Sequence, residues 1–241
     1  MKFRVLVCCL LVWGSLPGWA MPGIGALALS GARSFCAFNP SLDRSETAAE
    51  NPSFQEKKGD KKVDAEQLAM ALDYFSSEKF HECLVLLQPL NRRYKLNPRY
   101  RAYLAVCLYY EWEYDEAVKL FDEVIPLLQG VAPHELSLYY WMDAESYFAL
   151  QQYARALPLY KKMLPLCRDN EKPDAYYRMG FCHLFAAESS GSSESSGSST
   201  AERKKAKECF ELSLEGYLKY RNTPNEKARI AQIRHMLGGL K

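Results

Sequence analysis

The chain has 241 residues, 48% of them hydrophobic, with 31 Lys and Arg against 29 Asp and Glu and a formal net charge of +2. That length suits one or two domains, and the apolar share is enough for a packed core, which sets aside a wholly disordered chain. So balanced a charge, with the basic residues spread along the chain, argues against a nucleic-acid partner.

Lys2 and Arg4 precede an apolar run from Val5 to Trp13, which Gly14, Pro17 and Gly18 interrupt. This is the layout of an export signal over residues 1–20, cut after Ala20 or, as a second candidate, after Ala28. No charge occurs between Val5 and Ala32, a stretch long enough to span a bilayer. A retained anchor, and membrane association through it, is therefore the alternative. Residues 21–62 lack helical periodicity towards their end and carry Asn39-Pro40, Asn51-Pro52 and the charged run 57–62. They are expected to form a flexible tether.

From Val63 the pattern turns helical, and residues 63–241 are expected to form the folded domain. Leu68, Ala71, Leu72, Tyr74 and Phe75 mark a first helix, and Phe80, Cys83, Leu84, Leu87 and Leu90 a second. Asn97-Pro98 opens the next unit, with Asn as the cap and Pro in the first turn, where a missing N–H costs nothing. Leu104, Ala105 and Leu108 then pair with Tyr114, Ala117, Phe121 and Val124. After the connection 129–133, Ala144 and Tyr147 pair with Tyr153, Ala156, Tyr160 and Met163. A fourth unit starts at Pro173 and resumes at Glu202 with Ala206, Phe210, Ser213 and Tyr217. The run 189–200 between its halves is almost all Ser and Gly, and it is expected as a disordered insertion. Thr223-Pro224-Asn225 opens a last amphipathic helix through Leu237, suited to closing the array against solvent.

The chemistry of catalysis is not legible here. His81-Glu82 and His134-Glu135 begin like zinc-protease motifs, but Val85 and Leu138 stand where a second histidine is needed. Cys182 and His183 are helical neighbours that point about 100° apart, so His183 reads as a packing residue. No phosphate-binding glycine loop or nucleophile elbow occurs. No catalytic residue, metal ligand or cofactor is assigned. Of the eight cysteines, Cys8 and Cys9 fall in the export segment. Cys36, Cys83, Cys107, Cys167, Cys182 and Cys209 form no Cys-x-x-Cys pair, and are expected as free, mostly buried thiols.

Small residues recur at matched places in the four units. Ala71, Ala105, Ala144 and Gly180 sit mid-way along each first helix, and Cys83, Ala117, Ala156 and Ala206 early in each second helix. Leu87, Phe121, Tyr160 and Phe210 follow four positions later, and Cys83 and Ala117 are 34 positions apart. This pattern resembles the tetratricopeptide-repeat family over about residues 64–237. The resemblance implies an all-α fold: a right-handed helical-repeat solenoid of about four helix pairs with a C-terminal capping helix. It further implies that the first helices line a concave groove. Carried onto this chain, the groove residues are Arg99, Tyr109, Tyr110, Trp141, Glu145, Phe148, Tyr177 and Phe181. The Lys and Asn clamp that some members use for a C-terminal carboxylate is replaced by Leu68 and Leu72.

The expected function is a non-enzymatic, protein-binding scaffold, exported to the periplasm or bacterial cell envelope. Its aromatic groove would take a peptide or partner helix, and Arg99, Glu145 and Asp174 would set direction. The alternatives are an assembly subunit of an envelope complex, using its convex face or last helix, and an enzyme with an unfamiliar site.

Overall fold

The fold follows from a repeated choice of small against large. In a computed structural model, residues 61–190 and 196–240 are described, all within one unit, Gln55–Lys241. The expected export signal and nearly all of the tether lie outside the described residues. Among the described residues there are nine α-helices and no strand. They are α1 (Lys61–Ser76), α2 (Phe80–Arg93), α3 (Pro98–Tyr110), α4 (Tyr114–Val124), α5 (Pro133–Ala149), α6 (Tyr153–Met163), α7 (Lys172–Ser190), α8 (Ser196–Tyr220) and α9 (Lys227–Gly239). Each helix packs on the next in sequence, so the four pairs α1/α2, α3/α4, α5/α6 and α7/α8 stack as a helical-repeat solenoid that α9 closes.

The small positions are where the two helices of each pair meet. Ala71, Ala105, Ala144, Cys83, Ala117, Ala156 and Ala206 are all 0% exposed. So are Leu87, Phe121, Tyr160 and Phe210, the bulky residues one turn further along each second helix. Burying each of these large side chains stabilises the array by roughly 1.5–3 kcal/mol. In the fourth pair the approach is tightest. A methyl on Gly180 would lie 2.7 Å from the Phe210 ring, which is itself held by Tyr177 and Phe181. Gly180→Ala gains about 1 kcal/mol of helix propensity but forces that ring aside at about 1–3 kcal/mol. We expect a net loss near 1 kcal/mol, read as a lower urea midpoint; a gain in stability would mean that the ring is not confined.

The turns inside the first three pairs share one device. Glu78, Trp112 and Gln151 all have positive φ, at 57°, 69° and 60°. The next N–H in each turn reaches back to a carbonyl five residues earlier: Lys79 to Tyr74, Glu113 to Leu108 and Gln152 to Tyr147, at 2.9–3.0 Å. This closes the first helix with a left-handed residue. No glycine occupies any of the three sites, so each turn holds strain of roughly 1 kcal/mol that the packing overrides.

Local signals account for other boundaries. Asn97 caps α3 by accepting from the Arg99 N–H at 2.9 Å. Gly130, at φ 69°, bends the longer connection before α5. α7 continues to Ser190 and α8 begins at Ser196, so both helices reach into the Ser/Gly run that was expected as loop. Extending an existing helix by a residue costs far less than starting one. Residues 191–195 lie outside the described residues. No helix among the described residues is long and apolar enough to cross a membrane.

The five described cysteines are free, and all but Cys167 are buried. The neighbouring Cys83 thiol, with burial, raises the Cys107 thiol far above its usual range. Burial pushes Cys182 up to about 12 and Cys209 to about 11, so both stay protonated and poorly nucleophilic at neutral pH.

Candidate functional site

In the first three pairs the C-terminal end of the first helix and the start of the second carry aromatic rings, and the solenoid stacks these ends side by side. Phe80, Tyr114 and Tyr153 are the first residues of α2, α4 and α6. Phe80 stacks flat on Tyr110 at 3.9 Å, Tyr110 meets Tyr109 edge-on at 5.2 Å, and Tyr109 meets Tyr114 at 5.9 Å. In the later pairs Phe148 meets Tyr153 at 5.1 Å, Tyr153 stacks on Phe185 at 4.4 Å, and Phe185 on Phe181 at 6.1 Å. Phe75 stacks on Tyr103 at 4.2 Å beside the first group. All of these rings are half-buried. They form an aromatic strip, held rigid from behind and open in front.

A buried ion pair sits behind the strip. Arg178 of α7 donates to Glu145 of α5 at 2.6 Å, and the Tyr160 hydroxyl donates to the other Glu145 oxygen. The Arg178 guanidinium also lies 4.7 Å from the centre of the Phe148 ring. Burial and the Glu145 charge push the Tyr109 and Tyr160 hydroxyls well above the usual tyrosine range. The pair therefore braces neighbouring repeats, and both tyrosines stay neutral, Tyr160 as a hydrogen-bond donor to Glu145.

The eight groove residues expected from sequence fall into three groups. Tyr109, Tyr110, Phe148 and Phe181 are half-buried members of the strip. Trp141, Glu145 and Tyr177 are buried. Trp141 is 5% exposed with its ring against Tyr160, and Tyr177 packs beneath Ile230 and Ile233 of α9, with the Arg229 guanidinium 4.2 Å from its centre. Arg99 is exposed but already engaged, holding Glu135 through two hydrogen bonds of 3.1 and 2.7 Å. Asp174 is bound by Tyr217 and Arg221. The charges expected to set direction are thus all committed within the chain.

Arg178, Phe80, Tyr114 and Tyr153 were not among those eight. The three ring positions have a sequence signal, since they repeat at 34 and 39, the same spacings as the small residues Cys83, Ala117 and Ala156. Arg178 had none: its partner is fixed only by the packing of α5 on α7. His183 is buried and sits 2.6 Å from Glu202 of α8, away from any nucleophile role for its neighbour Cys182. No group of His, Cys, Asp and Glu among the described residues is arranged to hold a metal ion.

The stacked pairs and their small-residue seams make this a tetratricopeptide-like helical-repeat protein. No protein-family model matches the chain, and no curated protein matches it. Among solved structures it is similar to the type III secretion translocator chaperone SycD of Yersinia enterocolitica, at 19% identity over 64% of this chain and 90% of that one, with a TM-score of 0.44. It is similar also to MamA from Desulfovibrio magneticus RS-1, at 15% identity over 73% and 94%, with a TM-score of 0.41. TPR-like repeats from Podosopora anserina match at 15% identity over 73% and 84%, with a TM-score of 0.46.

Proposed function

We propose that this chain is a non-enzymatic scaffold that binds an extended or helical segment of another protein along the aromatic strip. The observation that carries this reading is the continuity of the half-buried rings from Phe80 to Tyr114 and from Phe148 to Phe181. Rigid rings offer large contact area at little cost in side-chain entropy, which is what recognition of a flexible segment requires. The basic start and apolar run of residues 1–20, read as an export signal, support a periplasmic or cell-envelope setting, with membrane attachment if that segment is retained. The test is site-specific photo-crosslinking in the native host, from probes at Tyr110 and Phe148 and from a control at Glu116. A partner captured from the two strip positions but not from the control is expected. Capture only from Glu116 would transfer the site to the convex face.

The convex face supports a second reading, as an assembly subunit. A cleft of about 400 Å³ runs between α2 and α4, lined by Gln88, Arg92, Arg101, Leu108 and Lys119. The same crosslinking experiment decides between the two.

A further inference from the structure

The strip is electrically polar along its length. In the first two pairs the turn segments 78–82 and 111–115 carry five carboxylates, Glu78, Glu82, Glu111, Glu113 and Asp115, against one lysine, Lys79. Lys79 already lies over the Tyr74 ring at 5.7 Å, and His81 is held by Glu111 at 2.9 Å. Trp112 projects from the middle of the second turn at 64% exposure. The matching segment of the third pair, 150–154, has no charged residue. There the Arg178 guanidinium lies over the Phe148 ring at 4.7 Å, whereas in the first group the Arg99 guanidinium lies over Tyr103 at 6.0 Å, beside the Phe80–Tyr110 stack rather than on it.

From this contrast we infer that the docked segment is basic at the end it places on the first two repeats, with arginine or lysine against the Phe80–Tyr110 stack. This rests on the aromatic strip being the binding surface. Two effects act in the same direction. An aromatic face attracts a cation, more strongly once water is excluded. The surrounding carboxylates steer a basic segment in and repel an acidic one. In the later repeats the chain's own Arg178 already covers the Phe148 face and the turn segment carries no carboxylate, so the segment's orientation is set: basic residues towards α2 and α4, apolar residues towards α6 and α7.

The probes are two peptides of equal length, one alternating leucine with arginine and the other leucine with glutamate, titrated into the full chain by fluorescence anisotropy at low salt. The arginine peptide is expected to bind about tenfold or more tightly than its counterpart, with affinity falling as salt rises. Glu78→Gln combined with Glu113→Gln, both at exposed sites, should remove most of that preference without changing the melting temperature. Equal binding of the two peptides, preference for the glutamate peptide, or no binding of either overturns the inference. Equal binding that Tyr110→Ala abolishes leaves the strip as the site and removes only its polarity. Crosslinks confined to the convex face remove both.

Discussion

Replacing Asp143 with asparagine is expected to flatten the pH dependence of stability between about pH 4 and pH 8. Asp143 lies in α5 at 1% exposure, and neither of its carboxylate oxygens has a hydrogen-bond partner. The groups that face it are Asp122 of α4, and Arg155 and Lys162 of α6. Asp122 is itself taken by the Tyr147 hydroxyl at 2.5 Å and by Arg155 at 2.9 Å, so that arginine's charge is already spent on another carboxylate. Burial first, and the Asp122 charge second, push Asp143 up to about 8, against the pull of Arg155 and Lys162. The folded chain therefore holds a proton here that the unfolded chain releases near pH 4. Stability from this group is fully present below that pH and is lost as pH rises through about 8, at roughly 1.4 kcal/mol per pH unit. Urea unfolding at pH 5 and pH 8 should show the stability of Asp143→Asn rising relative to wild type by up to about 3 kcal/mol. Parallel pH curves for the two chains would sink this account.

Arg178→Met should be among the most damaging single substitutions in the molecule. It strands the Glu145 carboxylate, which is 9% exposed, beside Tyr160 and removes the guanidinium from the Phe148 face. Removing one partner of a buried ion pair costs about 3–5 kcal/mol. Arg178 keeps some contact with water, so about 3 kcal/mol is expected here. Adding Glu145→Leu to the same chain should recover most of that loss, because two apolar side chains in a buried site are close to neutral relative to the pair they replace. A double-mutant cycle by urea unfolding measures the coupling. Strict additivity of the two substitutions would show that Arg178 and Glu145 do not act on each other.

Most of the fold was legible in the chain. Repeated small and large residues at matched spacing marked every helix pair, because only a residue the size of alanine, cysteine or glycine lets two helices approach so closely. The cap at Asn97 and the closing role of the last helix were local signals of the same kind. The left-handed turn residues were not legible. Glu78, Trp112 and Gln151 carry none of the glycine signal that such turns usually show. Half of the expected groove residues, Tyr109, Tyr110, Phe148 and Phe181, lie on the strip. Trp141, Glu145 and Tyr177 were assigned by register along one helix, but burial depends on what the neighbouring helices bring. Tyr160, Arg178 and α9 cover them.

What this chain's residues determined unaided is the helix, its pairing and its stacking, since those depend on contacts between positions a fixed distance apart in sequence. Which rings stay open and which charges find partners depends on the angle at which successive pairs pack. That angle emerges only when all the side chains between α3 and α9 are in place, so Arg178 met Glu145, Asp143 met no partner, and an aromatic edge remained exposed.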